Sequence, residues 1–172
     1  TNGYPEFDPA FYRLRVHGRV EDEQSLSLLD LAQLPQTQIT RDFQCVTGWR
    51  VDDVPWSGVL LRDVLALARP ASDAGAVRFT SFDGAYTESL TLEQAMRDDV
   101  LVATTMFGQP LEAKHGAPVR LYVVPMYGYK SIKWLDGIEL GRSVVPGYWE
   151  DRGYDVDAWV GASNGRSDEP VA

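Results

Sequence analysis

One thiol and one cluster of cations carry the chemistry open to this sequence. Cys45 is the only cysteine in 172 residues, so no internal disulfide can form. It lies in Arg41-Asp42-Phe43-Gln44-Cys45-Val46-Thr47-Gly48-Trp49-Arg50, where the alternation of a half-buried strand runs up to the cysteine and Thr47-Gly48 breaks it into a turn. A thiol at a strand end is held rigidly yet reachable, and as a thiolate it is a nucleophile or a soft metal ligand. The competing reading is a small buried hydrophobe. The cations lie further on: residues 113–135 contain no Asp or Glu but hold Lys114, His115, Arg120, Lys130 and Lys133, in a chain of net charge -9. Arg120 opens an apolar run, which predicts a guanidinium at a sheet end with its planar fork able to hold two phosphate oxygens. Tyr127-Gly128-Tyr129-Lys130-Ser131-Ile132-Lys133 adds amides, a hydroxyl and ammonium groups suited to a phosphate. No nucleotide loop of known spacing is present. The residues alone leave two readings open, an anion cradle and a solvated basic loop.

These groups need elements to position them. Residues 11–16 alternate at period two before Gly18 and predict a strand, and Ser27 caps a short helix to residue 32. Residues 36–45 form the strand that delivers Cys45. Val54-Pro55-Trp56-Ser57-Gly58 is expected as a turn, followed by an amphipathic helix over residues 59–68 that Pro70 stops. Residues 77–82 and 86–90 read as a hairpin about Asp83-Gly84. Thr91-Leu92-Glu93-Gln94 has capping-box spacing for a helix to Met96, and residues 100–107 and 119–124 are further strands. Strands and short helices without a βαβ rhythm give an α+β class. At 44% hydrophobic content the length suits one domain over residues 1–172, with an extended lead-in at 1–9 and a frayed tail at 164–172.

The acidic balance excludes a general nucleic-acid or anionic-membrane surface. No apolar run is long enough to span a membrane, and no signal-peptide pattern opens the chain. The start at Thr1 predicts a processed or excised piece.

Five ordered motifs, D-F-Q-C-V-T-G-W, V-P-W-S-G-V-L-L, F-T-S-F-D-G-A-Y-T-E-S-L, H-G-A-P-V-R and Y-G-Y-K-S-I-K-W-L, resemble the molybdopterin-binding domain of the sulfite oxidase family, over residues 11–159. The resemblance implies that family's molybdopterin-binding fold and a molybdenum–molybdopterin cofactor, with Cys45 as the sole protein ligand of the metal. A soft thiolate suits a sulfur-rich, high-valent site. His115, Arg120, Ser131, Ile132 and Lys133 are then expected to hold the cofactor, with Ser81 contributing a hydroxyl and Asn2 a pterin contact. Arg50 falls where an oxyanion-pocket arginine stands, and Tyr154 matches a tyrosine kept near the metal. A second active-site arginine of the family's upstream R-N-H segment is absent, which favours a neutral sulfoxide or N-oxide over sulfite. The resemblance further implies an extracytoplasmic or membrane-associated location in a prokaryote. It also implies a stand-alone monomer that exchanges electrons with a membrane cytochrome or quinone-linked subunit.

Other classes remain at this point: a thiol hydrolase pairing Cys45 with His115, for which no third orienting residue is placed, and a binding module that has lost the cofactor. One cysteine and two distant histidines lack zinc-ligand spacing, which disfavours zinc. Trp49, Trp56 and Trp134 are expected in the core, and His17 at a strand end on the surface.

Overall fold

The structure, a computed structural model, describes residues 3–171. In chain order its elements are β1 (Leu14–Gly18), β2 (Gln24–Leu26), α1 (Leu28–Gln33), β3 (Thr37–Gln44), β4 (Arg50–Leu60), α2 (Leu61–Ala68), β5 (Ala76–Ser81), β6 (Thr87–Thr91), α3 (Leu92–Ala95), β7 (Val100–Met106), β8 (Gln109–Pro110), β9 (Arg120–Val123) and β10 (Leu135–Gly141). Single 3-10 turns cover Ala113–His115, Gly128–Lys130 and Glu150–Arg152. One sheet runs β2-β1-β10-β5-β6, and the other runs β3-β4-β7-β8 with β9 also on β7. Among the described residues only the β1–β10 pair is parallel. Leu14, Val16, Phe79 and Ile138 of the first sheet meet Val59, Val102, Leu121 and the α2 residues Val64 and Leu65 in one shared core. This is the α+β arrangement expected from the sequence.

Both predicted capping boxes form: Ser27 and Asp30 close reciprocally over α1, and Thr91 and Gln94 over α3. Three local expectations fail for identifiable reasons. First, β1 starts at Leu14 because Phe11, 81% exposed, belongs to a turn folded back on Asp8. Second, residues 54–58 are not a turn but the middle of β4. The Pro55 carbonyl accepts from Phe107 N, so the absent N–H of Pro55 faces the end of β7, where the ladder stops at Trp56↔Met106, and costs no bond to β3. Gly58 sits at the β4–β7 bulge, where a Cβ would lie 2.0 Å from the Val102 carbonyl. Third, the tail at 164–171 is tied down. Arg166 pairs with Asp168, which accepts from Tyr127 Oη at 2.8 Å, and a Glu169 carbonyl accepts from Arg50.

The central strand β10 was hidden in the sequence by Asp136, Gly137, Glu139 and Gly141, which dilute its apolar pattern. Gly137 is required by its neighbour, since a Cβ there would stand 2.2 Å from Thr80 Oγ1 on β5. Gly137→Ala is expected to destabilise the fold by about 1–3 kcal/mol, the usual range for overpacking a filled sheet. Adding Thr80→Ala should recover part of that loss, because it removes the clashing oxygen. Thermal denaturation of the single and double variants checks this, and strictly additive losses would contradict it.

Candidate active site

Cys45 is the first residue of the five-residue loop that joins β3 to β4. Its N–H donates to the Trp49 carbonyl at 2.9 Å, and its own carbonyl accepts from Gly48 N at 3.0 Å, a closure that uses the positive φ of Gly48. The half-buried sulfur lies 3.1 Å from Thr47 Oγ1. Gln44 braces the loop from below, donating through Nε2 to the carbonyls of Cys45 and Trp49. Its Oε1 accepts from Arg50 Nε at 2.6 Å, while Arg50 Nη1 reaches Asp42 at 3.2 Å. With its remaining nitrogen on Glu169, Arg50 is spent on bracing the loop and does not line the cavity into which Cys45 opens.

That cavity, about 870 Å³, is walled by the Cys45 loop, by β4, by the β5–β6 turn, by residues 114–115, 128–129 and 131–134, and by Tyr148, Trp149 and Tyr154 of the aromatic tail that follows β10. Among the expected cofactor residues, His115, Arg120, Ser131, Ile132 and Lys133 all line it. Arg120 is buried, and its fork is already committed: Nη1 donates to the His115 carbonyl at 3.0 Å and Nη2 to the Ser131 carbonyl at 2.7 Å. Its guanidinium carbon lies 5.3 Å from the Phe43 ring centre and 5.2 Å from that of Trp56. It therefore joins the two cation-bearing loops rather than presenting an open fork, and it forms no carboxylate pair among the described residues. Burial lowers the Arg120 pKa to about 10. The same burial, with Arg120 nearby, pushes the half-buried Lys133 down, and burial together with Lys114 pushes His115 down. Lys133 Nζ donates to the Lys114 carbonyl at 2.7 Å, which gathers these charges. One wall of the cavity is thus cationic, inside a chain of net -9: Lys114 is paired with Glu112 at 3.0 Å, while Arg120 and Lys133 have no carboxylate partner among the described residues. A soft sulfur and a cation cluster around one cavity are the donor set that a metal–pterin group ending in a phosphate requires, so the residues fit that group.

Other expected residues take different places. Ser81 Oγ donates to Asp83 at 2.5 Å and accepts from Tyr86 N, locking the β5–β6 turn without lining the cavity. Ser131 Oγ accepts from Val123 N at 3.0 Å, which fixes its loop to β9. Lys130 leaves the positive island altogether, because its buried ammonium sits between Glu88, at 2.9 Å, and Glu150. Burial, opposed by Lys130, raises Glu88 to about 8. This triad pins the tail to β6. Asn2 lies outside the described residues, while nearby Tyr4 packs 6.4 Å from Trp134, a cavity residue. Tyr154 does face the cavity, edge-on to Tyr129 and Trp149 at 5.5 and 5.3 Å. Of the three tryptophans expected in the core, only Trp56 is buried; Trp49 is 52% exposed and Trp134 half-buried. Sequence reading missed Tyr148 and Trp149 as cavity walls, because an aromatic-rich stretch without periodicity does not say which rings turn inward, and it missed Tyr86 because a hairpin turn residue carries no signal of what packs over it.

A family model described as an oxidoreductase molybdopterin binding domain matches residues 1–149. The chain is 36% identical over 155 residues to the uncharacterized oxidoreductase YuiH of Bacillus subtilis, covering 88% of this chain and 77% of that protein. It is 31% identical to the protein-methionine-sulfoxide reductase catalytic subunit MsrP of Campylobacter jejuni, over 84% of this chain and 54% of that subunit. The crystal structure of the sulfane dehydrogenase SoxCD from Paracoccus pantotrophus superposes with a TM-score of 0.77 at 24% identity, covering 83% of this chain and 41% of that one, and shows the same fold.

The depressed His115 gives a direct test of the cationic wall. With burial and neighbouring cations disfavouring its imidazolium, it is expected to titrate below the ordinary 6.5 in cofactor-free protein. Millimolar inorganic pyrophosphate should move that midpoint up, because an anion favours the charged ring. NMR titration checks this with only two histidines to assign. A midpoint indifferent to pyrophosphate would contradict an anion site at this wall.

Proposed function

Because the chain belongs to the oxidoreductase molybdopterin binding domain family, we propose that Cys45 is the single protein ligand of its molybdenum. In this reading His115 and Lys133, with Lys114 beside them, hold the anionic end of the pterin. The chain is a molybdenum-cofactor oxidoreductase of α+β fold. It spans about three quarters of YuiH and about half of the methionine-sulfoxide reductase subunit, so what it acts on and with is part of this proposal. The observation that carries it is the meeting of the chain's one thiol and its cation cluster in one cavity.

When bound, the molybdenum–pterin group supplies a two-electron couple across which an oxygen atom is exchanged. The reaction we propose is reduction of a sulfoxide or N-oxide: the S–O or N–O bond breaks, two electrons and two protons are consumed, and water leaves with the sulfide or amine. Tyr154, a phenol on the cavity wall beside the tail, orients or protonates the departing oxygen. The electrons come from a redox partner, a membrane cytochrome or quinone-linked subunit, in an extracytoplasmic or membrane-associated setting; the relative named as a catalytic subunit is in keeping with such a partner. Arg120 serves as a positioning residue, holding the His115 and Ser131 segments at the spacing a phosphate needs. A neutral substrate is favoured because Arg50, the cation nearest Cys45 in sequence, is turned away from the cavity.

Cys45→Ser exchanges a soft ligand for a hard one and is expected to abolish turnover, and Lys133→Gln should weaken cofactor binding about tenfold, the scale of one charge-assisted contact. Steady-state assays of methionine sulfoxide with an artificial donor, run against sulfite with an artificial acceptor, together with metal analysis, check both. Full activity in Cys45→Ser would overturn the ligand assignment. Fast sulfite oxidation with no sulfoxide reduction would make the enzyme a sulfite dehydrogenase.

A further inference from the structure

A second chamber, about 390 Å³, adjoins the first, and Val46 and Tyr154 belong to the walls of both. Its far side is the tail, which packs against the Cys45 loop: a Cβ placed on Gly48 would lie 3.0 Å from Arg166 Nη2. The tail turn is held rigidly here. Asp155 N donates to Asn164 Oδ1 at 2.9 Å, Asn164 N returns a bond to Asp155 Oδ2, and Asn164 Nδ2 donates to Tyr129 Oη at 3.0 Å. Arg166 lines the chamber with Asp155 and Asn164. Its Nε and Nη2 grip Asp168 at 2.6 and 3.0 Å, and Asp168 is fixed from behind by Tyr127. Nη1 has no hydrogen-bond partner among the described residues.

The electrostatics of this chamber differ from those of the cationic wall. Arg166 and Asp168 cancel in charge, and the Asp155 carboxylate adds a negative group to the lining. What is left is a spare guanidinium N–H donor without net positive charge. An oxyanion gains no counter-charge there, whereas the strongly polarised oxygen of a neutral sulfoxide or N-oxide gains a good donor without having to be neutralised. We infer that this chamber is the substrate's approach to the Cys45 loop, and that Arg166, neutralised by Asp168, selects neutral S–O and N–O compounds over oxyanions. The inference rests on the oxygen-transfer reading and deepens it by assigning the discrimination to Arg166 instead of Arg50.

The test compares wild-type holoenzyme with Asp168→Asn and Arg166→Gln. Asp168→Asn keeps an acceptor for Tyr127 and Arg166 but uncovers the guanidinium charge. Sulfate, as an inert oxyanion, is expected to bind that variant about tenfold tighter by calorimetry, the order of one charge-assisted contact. Arg166→Gln should raise KM for methionine sulfoxide several-fold with little change in kcat, and should erase the sulfate gain when combined with Asp168→Asn. Sulfate binding that is the same in wild type and Asp168→Asn would overturn the inference, as would an unchanged KM in Arg166→Gln. Melting curves report whether each variant folds, and either one alone decides the matter if the other does not. If no sulfoxide or N-oxide is turned over by metal-loaded wild type, the oxygen-transfer reading falls, while the sulfate comparison still reports on the chamber's charge.

Discussion

A buried guanidinium without a carboxylate partner is the constraint around which this site is built. Arg120 is 3% exposed, and among the described residues its charge is met by backbone carbonyls and by the faces of Phe43 and Trp56. Burying such a charge is costly unless its hydrogens are satisfied, so the loops that supply the carbonyls cannot drift. The same contact reaches the thiol. Phe43 lies two residues before Cys45, its ring stacks on Trp49 and Tyr122, and a Cβ on Gly128 would come within 2.6 Å of it. The cysteine loop, the His115 turn and the Ser131 loop are therefore one packed unit, set by an arginine that leaves its positive potential in the cavity.

A second buried ionic group fixes the opposite boundary. Lys130 between Glu88 and Glu150 fastens the tail to β6, and Glu150 Oε2 also accepts from Gly147 N at 3.1 Å. Tyr148, Trp149 and Tyr154 flank that anchor and close the cavity with rings. Each triad member is buried, so the anchor has the character of a register device, one that makes alternative tail positions leave an unpaired charge inside. Lys130 and Lys133 thus divide: Lys130 builds the wall, and Lys133 faces the cavity.

Much of this is legible in the sequence. The alternation up to Cys45 located the strand end, capping boxes marked α1 and α3, and the charge segregation at 113–135 marked cations that, Lys130 excepted, line one cavity. What stayed hidden was tertiary in origin. Pro55 looked like a turn because its one-residue signal is the same at a turn and at the end of a ladder. Gly137 looked like a break because the Thr80 side chain that demands it is distant in sequence. Arg50 looked catalytic by its match to the family's oxyanion-pocket arginine, and only tertiary packing shows that Gln44, Asp42 and Glu169 take up its donors. Arg166 carried no signal at all, being in a stretch read as frayed.

In the proposed site the lone thiol binds the metal while the cation cluster holds the rest of the cofactor independently. X-ray absorption at the molybdenum edge, on wild type and on Cys45→Ser loaded with the same cofactor, tests it at the atom concerned. The account predicts that the variant keeps its pterin sulfurs and loses one sulfur neighbour. An unchanged sulfur count in Cys45→Ser would contradict it.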